Sequence, residues 1–84
     1  MPGEQGAVTV RYWAGARAAA GVDEEALPGC PTVADAAATV VGLHPALSAI
    51  VPVSTWLLDG RAAPPDTALA PGAVLEVLPP FAGG

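Results

Sequence analysis

The strongest constraint on the fold of this chain is one capped amphipathic helix near its middle. Thr32 is a residue type favoured at a helix N-terminus, and Asp35 follows it in a spacing close to a capping box. Apolar residues then recur at helical spacing on one face, namely Val33, Ala36, Ala37 and Val40. Gly42 predicts the end of this helix. A helix with one apolar face needs a second layer to pack against.

The segments around this helix have the pattern of β-strands. Residues 7–13 alternate in polarity, and residues 73–78 form an apolar run with Leu75 and Val77 on one face, which predicts a strand in each. Residues 53–58 and 61–63 flank Asp59-Gly60, a pair typical of a tight turn between two strands. Residues 24–27 are acidic and short, as is common in an edge strand.

Two further signals complete the order of elements. The alanine-rich segment Ala14–Ala20 before Gly21 predicts a short helix, and Pro71-Gly72 predicts a type II turn. The predicted order is strand, short helix, short strand, main helix and then three strands. This order predicts an α+β domain in which one sheet packs on one main helix.

Composition limits the class of function. The chain has 84 residues, enough for one domain, with a net charge of −5 and three arginines but no lysine. A surface of this kind argues against nucleic-acid binding, which relies on cationic contacts to phosphates. A single cysteine excludes an internal disulfide and a cysteine-based iron–sulfur or zinc site, and the family resemblance given below implies that the chain binds no metal or cofactor itself.

The sequence also carries expectations about location and organisation. No segment approaches the roughly 18 apolar residues of a membrane span, and the start of the chain lacks the features of a signal peptide. We therefore expect a cytoplasmic protein. We expect residues 1–6 to form a flexible leader, residues 7–78 the domain and residues 79–84 an extended C-terminal tail.

The final six residues, Pro79-Pro80-Phe81-Ala82-Gly83-Gly84, indicate where chemistry takes place. The two glycines have no Cβ, so the α-carboxylate of Gly84 is unhindered and can enter a narrow channel. The two prolines favour an extended exit from the domain. From Phe81 to Gly84 the chain can reach roughly 13 Å at about 3.3 Å per residue.

Several stretches together resemble a known family. Val8-Thr9-Val10-Arg11-Tyr12-Trp13-Ala14 is similar to the family's first strand, Thr32-Val33-Ala34-Asp35 to its helix cap, and Leu57-Leu58-Asp59-Gly60 to a strand and turn. The final six residues resemble the family's Pro-Pro-Val-Ala-Gly-Gly ending. On these motifs the chain resembles the ubiquitin-like β-grasp sulfur carriers, and among them the small subunits of molybdopterin synthase. The resemblance implies a β-grasp mixed sheet of four or five strands on one main helix, with a short extra helix.

The resemblance implies a specific chemistry at Gly84. An ATP-consuming enzyme related to ubiquitin-activating enzymes adenylates the terminal carboxylate, and a sulfur donor converts it to a thiocarboxylate. That sulfur then passes to a molybdopterin precursor inside a larger synthase subunit. The chain is then no enzyme on its own: it is the sulfur-carrying subunit of a sulfurtransferase complex. Gly83, Ala82 and Phe81 would guide the tail.

Docking on these partners needs a contact surface on the domain. We expect its residues among Leu58, Arg61, Leu78 and Pro80. For Leu58 and Leu78 the ordinary interpretation is packing within or beside the sheet. Arg61 is the preferred interface residue among the three arginines because it lies beside the predicted turn.

Other functions stay open at the level of sequence. The chain could carry sulfur for thiamine, cysteine or a secondary metabolite, although the short helix Ala14–Ala20 counts against the thiamine-type carriers. It could be a ubiquitin-like modifier attached through Gly84 to target lysines, or an interaction domain whose final glycines are incidental.

Four other residues attract attention but fit structural roles better. Cys30 is unpartnered in sequence, and we expect it to be inert. His44 has no evident base or ligand partner and precedes a proline. Trp13 and Trp56 are expected to pack on the sheet.

Overall fold

The computed structural model of the chain describes residues 7–80. The leader and the residues after Pro80 therefore lie outside it. The elements follow one another as β1 (Val8–Tyr12), α1 (Ala14–Ala20), β2 (Glu24–Leu27), α2 (Val33–Leu43), 3-10 segments at Pro45–Ala49 and Val51–Val53, β3 (Thr55–Leu58), β4 (Arg61–Ala62) and β5 (Val74–Leu78). The predicted order of strands and helices is confirmed.

The five strands form one mixed sheet in the order β2-β1-β5-β3-β4. The first and last strands, β1 and β5, lie side by side and parallel, and the other neighbouring pairs are antiparallel. Parallel neighbours need a long connection, and α1, β2, α2 and the β3–β4 hairpin all lie between them in sequence. This is the β-grasp architecture that the resemblance implied.

The core lies between one face of the sheet and α2. Alternation along the strands sends every second side chain to this face, including Val8 and Val10 of β1 and Leu75 and Val77 of β5. Helix α2 contributes Val33, Ala36 and Val40, as its spacing predicted. The same cluster includes Ala16 and Ala20 of α1 and Leu47 and Val51 of the 3-10 segments.

The ends of α2 agree with the sequence at one end and differ at the other. The hydroxyl oxygen of Thr32 accepts a hydrogen bond from the main-chain N–H of Asp35 at 3.3 Å, which confirms the predicted cap. The predicted stop at Gly42 is wrong, because the helix runs to Leu43 and has His44 as its C-cap. Pro45 stops it instead, since a proline keeps the preceding residue out of the helical region.

Prolines also shorten two strands relative to the prediction. Residue 53 was expected in β3 but belongs to a 3-10 segment that contains Pro52, so the strand begins at Thr55. Residue 63 was expected in β4, which ends at Ala62; the N–H of Ala63 still donates to the carbonyl of Trp56 at 2.8 Å, and the pairing stops beyond it at Pro64 and Pro65.

The predicted turns have the required backbone angles. Asp59 and Gly60 have φ of 49° and 89°, the left-handed pair that a two-residue hairpin between β3 and β4 needs. Gly72, after Pro71, has φ of 83°, and the N–H of Ala73 donates to the carbonyl of Ala70 at 3.1 Å. No helix within residues 7–80 has the length and apolarity to cross a bilayer.

Candidate functional site

Strand β5 carries the chain to one end of the sheet. It is paired with β1 along one side and with β3 along the other, and its last residue, Leu78, lies opposite Thr55 of β3. Pro79 and Pro80 follow, and neither has an N–H that could extend a ladder. The chain is therefore held by β1 as far as Val77 and by β3 as far as Leu78, and it leaves the sheet at Pro79.

An apolar cavity of about 300 Å³ lies at this exit. We call it the tail-root cavity, and it is lined by Gly15, Ala49, Ile50, Val53, Pro79 and Pro80. None of these residue types has a polar side chain. The start of α1, the 3-10 segments and the residues after β5 therefore meet in one uncharged concave surface. Val53 is 59% exposed there.

The backbone beside this cavity is strained. Ala14 has φ of 49°, a left-handed conformation that residues with a Cβ rarely adopt. It immediately precedes Gly15 in the cavity wall. Strain of this kind persists only where the surrounding structure holds it, and such positions are common at binding sites.

The side of the sheet that faces away from α2 forms a second surface near the exit. We call it the open face. Its side chains alternate with those of the core, and none of them is fully buried. Leu57, Val74 and Leu78 are its half-buried apolar members, and Thr55 lies beside Leu78.

A charged cluster borders the apolar part of the open face. The guanidinium of Arg11 lies 3.4 Å from the carboxylate of Glu24 and 3.9 Å from that of Glu76. It also lies 5.4 Å from the centre of the Trp13 ring, whose Nε1–H donates to Glu76 at 3.3 Å. Arg11 and Glu24 are exposed and Glu76 is half-buried, so each ion pair with the solvated guanidinium contributes little to stability. Trp13 is 42% exposed and packs on the open face, whereas Trp56 is buried in the core.

The four residues predicted for docking lie in four different places. Leu78 is on the open face, and Pro80 lines the tail-root cavity. Arg61 is exposed on β4 at the edge of the sheet. Leu58 lies opposite Leu75 and packs against the core, so only part of its side chain is exposed.

The predicted tail residues lie outside the described part of the chain, namely Phe81, Ala82, Gly83 and Gly84.

Sequence reasoning missed a cluster of three polar side chains on the core side of the sheet. Tyr12 Oη donates to Glu25 Oε2 at 2.5 Å, and His44 Nε2 lies 2.6 Å from the same oxygen. His44, for which the sequence shows no evident partner, therefore has one in the fold, which is consistent with a structural role. The members are 13 and 19 residues apart in sequence, and only the pairing of β1 with β2 and the end of α2 bring them together. No local pattern signals such a contact.

The cluster connects the edge strand β2 to β1 and to the C-terminal end of α2 through the two contacts of Glu25. Tyr12 is 2% exposed, and its ring packs edge-on against that of His44, with the centres 6.1 Å apart. Burial raises the pKa of Tyr12 far above its usual value, and the hydrogen bond to Glu25 and the negative charge of that carboxylate raise it further. Tyr12 therefore stays a hydrogen-bond donor at all ordinary pH values.

The remaining titratable side chains give no sign of a metal site. Cys30 is buried, and its thiol donates to the carbonyl of Pro28 at 3.2 Å. In the part of the chain that the structure describes, no three His, Cys, Asp or Glu residues are grouped as metal ligands.

Comparison with known proteins places this geometry in a family. The family model described as the ThiS family matches residues 10–84. No curated protein matches the chain in sequence.

Several solved structures match nearly the whole domain. SAMP1 from Haloferax volcanii is 30% identical, with a TM-score of 0.83 over 94% of this chain and 100% of that one. The putative molybdopterin converting factor, subunit 1, from Pyrococcus furiosus is 31% identical, with a TM-score of 0.79 over 88% and 97%. The small archaeal modifier protein 1 from Methanosarcina acetivorans is 25% identical, with a TM-score of 0.83 over 93% and 96%.

Proposed function

We propose that this chain, which belongs to the ThiS family of ubiquitin-like sulfur carriers, is the small subunit of a molybdopterin synthase and carries sulfur on Gly84. The observation that carries the proposal is the exit of the chain from the sheet. Strand β5 is held by β1 to Val77 and by β3 to Leu78, and the two prolines that follow cannot extend the ladder. A rigid base followed by a short unhindered end suits delivery of a terminal group into a partner. The similarity to the Pyrococcus furiosus protein supports the molybdopterin pathway.

The proposed chemistry replaces one oxygen of the terminal carboxylate. A carboxylate oxygen of Gly84 attacks the α-phosphorus of ATP, and pyrophosphate leaves. Sulfide supplied by the sulfur donor, as HS⁻, then attacks the acyl carbon and AMP leaves with the electrons of the C–O bond, so that a C–S bond replaces a C–O bond. The adenylate is needed because the free carboxylate has no adequate leaving group. Gly83 and Gly84 provide clearance for these steps because neither has a Cβ.

The family's carriers are not enzymes themselves, so partners supply the catalytic residues. We propose an adenylating enzyme, which consumes ATP, and a larger synthase subunit, which receives the sulfur. The chain itself binds no cofactor in this scheme.

The open face and the tail-root cavity are the surfaces proposed to hold these partners. Fixing one residue's backbone costs about 1–2 kcal/mol, so residues 81–84 would cost at most about 4–8 kcal/mol. At about 25 cal/mol per Å², burial of roughly 160–320 Å² of apolar surface offsets that cost. Leu57, Leu78 and Val53 provide partly exposed apolar side chains for it.

The test is the intact mass of the chain after incubation with ATP, an adenylating enzyme of the ubiquitin-activating type and a sulfur donor. We expect a mass increase that corresponds to exchange of one oxygen for sulfur. Deletion of Gly84 removes the exchange, whereas the matched deletion of Gly3 at the other end of the chain leaves it intact. Circular dichroism should show all three proteins folded. Absence of the exchange in the unaltered chain contradicts the carrier function.

A second experiment separates the pathways. Conversion of a molybdopterin precursor by the thiolated chain with a larger synthase subunit supports the specific proposal. Thiolation without such conversion points instead to a carrier for another pathway, such as thiamine, cysteine or a secondary metabolite.

A ubiquitin-like modifier is the second candidate, and the similarity to proteins named small archaeal modifier protein 1 favours it. In that case Gly84 forms an isopeptide bond with lysines of other proteins. Adducts of high molecular weight that disappear on deletion of Gly84 would identify this activity.

A further inference from the structure

The tail-root cavity has properties that the proposed transfer of sulfur at Gly84 does not by itself require. All six of its lining residues lack polar side-chain atoms, although the chain has a net charge of −5. Val53 at its rim is 59% exposed. At about 300 Å³ the cavity is at the lower limit of ligand pockets, which span roughly 300–1,000 Å³. It is therefore the size for a side chain rather than for a cofactor.

The distance to the reactive end limits what can cover this cavity. Pro80 is in its wall, and four residues follow before the α-carboxylate of Gly84. At about 3.3 Å per residue they span at most roughly 13 Å. An enzyme that acts on Gly84 encloses this short segment, so the surface around the mouth of its channel lies against the tail root.

We propose that the tail-root cavity is a docking site for the adenylating enzyme, which inserts one uncharged apolar side chain from beside the mouth of its tail channel. The inference rests on the proposed function, because it requires an enzyme that activates Gly84. It names the adenylating enzyme because both the carrier and the modifier functions begin with activation of the carboxylate.

The chemistry of the occupant follows from the lining. A charged side chain would lose hydration in this cavity and find no ion pair or hydrogen-bonding side chain among Gly15, Ile50, Val53 and their neighbours. An apolar side chain gains by leaving water and matches the surface in shape.

A larger apolar cavity, of about 530 Å³, lacks the proximity to Gly84 that links the tail-root cavity to the adenylating enzyme. It lies between α2 and the β3–β4 hairpin, with Trp56, Pro64 and Pro65 among its lining residues. None of its lining residues follows β5, so nothing in the described structure connects it with Gly84.

Gly15 offers a substitution that fills the cavity without disturbing the fold. A Cβ added there meets no atom within 4 Å, and leucine is a better helix residue than glycine. The matched control is Gly42→Leu, also in a helix and also with open space around the added Cβ, but outside the cavity lining. Both variants should unfold in urea at least as late as the unaltered chain.

The readout is the rate of AMP formation by the adenylating enzyme at increasing concentrations of the carrier. Gly15→Leu is expected to raise KM on the order of ten- to a hundredfold with little change in kcat, since it removes binding of one apolar side chain. Gly42→Leu should leave both constants unchanged.

A second pair of variants tests the same docking site independently, in case Gly15→Leu does not fold. Val53→Asp places a charge at the rim of the cavity, and Leu43→Asp places one at a similarly exposed position, 55%, at the end of α2. Only Val53→Asp should raise KM for the enzyme.

Three results overturn the inference. Normal KM for folded Gly15→Leu and Val53→Asp shows that the enzyme does not use the cavity. Normal adenylation with a loss only at the larger synthase subunit assigns the cavity to a different partner. Absence of adenylation of the unaltered chain refutes the proposed function and the docking site together. This result can be told apart from failure of the docking site alone, because every variant is then as inactive as the unaltered chain.

Discussion

Tyr12 predicts how the stability of this protein depends on alkaline pH. Its side chain is 2% exposed and donates to the carboxylate of Glu25 at 2.5 Å. Burial raises the pKa of Tyr12 in the folded protein, and the contact with Glu25 raises it further, whereas in the unfolded chain it is about 10. The stability that this shift contributes is complete below pH 10 and is lost as the pH rises above that value, because only the unfolded chain then releases the proton.

The expected magnitude follows from linkage. Each pH unit above 10 lowers the free energy of unfolding by about 1.4 kcal/mol while Tyr12 stays protonated in the folded state. At pH 12 the loss is therefore at most about 2.7 kcal/mol. The composition makes the effect easy to isolate, because Tyr12 is the only tyrosine and there is no lysine. Alanine replaces Cys30, the single cysteine, in every protein tested.

The assay is urea unfolding at steps between pH 8 and 12, with the absorbance of tyrosinate recorded in parallel. The protein with Tyr12 should lose stability steeply above pH 10, and the Tyr12→Phe variant should show a nearly flat profile. Tyrosinate should appear only as the protein unfolds. An equally steep loss in Tyr12→Phe, or formation of tyrosinate near pH 10 in folded protein, would refute the reasoning.

Three further predictions concern packing and local structure, and urea unfolding measures each. Leu75→Ala leaves a cavity at a fully buried position and should lower the free energy of unfolding by about 2–5 kcal/mol. The control Leu43→Ala, at an exposed position, should change it by less than about 0.5 kcal/mol. Similar effects of the two substitutions would contradict the assigned core. Thr32→Ala removes the N-cap acceptor of α2 and should lower the free energy of unfolding by about 1 kcal/mol. Thr32→Ser keeps the hydroxyl and should restore most of that free energy. Equal losses in the two variants would contradict a role for the hydroxyl. Gly60→Ala, at a residue with φ of 89°, should destabilise the folded protein by roughly 1 kcal/mol. Gly42→Ala, within α2, should stabilise it by about the same amount. The reverse order would contradict the backbone conformations assigned to the two glycines.

Much of the fold could be predicted from local patterns. The Thr32 cap, the apolar face of α2 and the Asp59-Gly60 turn each depend on residues within a few positions of one another. Errors arose where prolines ended an element, as at Pro45 beyond α2 and at Pro64 beyond β4.

The candidate site could be predicted only in part. That the chain leaves the ladder after β5 could be predicted from Pro79 and Pro80 in the sequence. That Leu57 and Leu78 lie on the open face while Leu58 lies on the core face depends on how β3 pairs with β5. Two adjacent leucines in a strand always point to opposite sides, and the sequence does not say which side α2 covers.

The sequence by itself determined the kinds of element, their order and the chemistry available at the end of the chain, because helix periodicity, capping, turn geometry and the absence of a Cβ are all local properties. Only the tertiary structure decided which distant residues meet. Placing β1 beside β5 builds the open face, and closing α2 over the sheet assembles Tyr12, Glu25 and His44 around one carboxylate oxygen. The tail-root cavity likewise exists only where α1, the 3-10 segments and the end of β5 converge, since none of them alone encloses a volume.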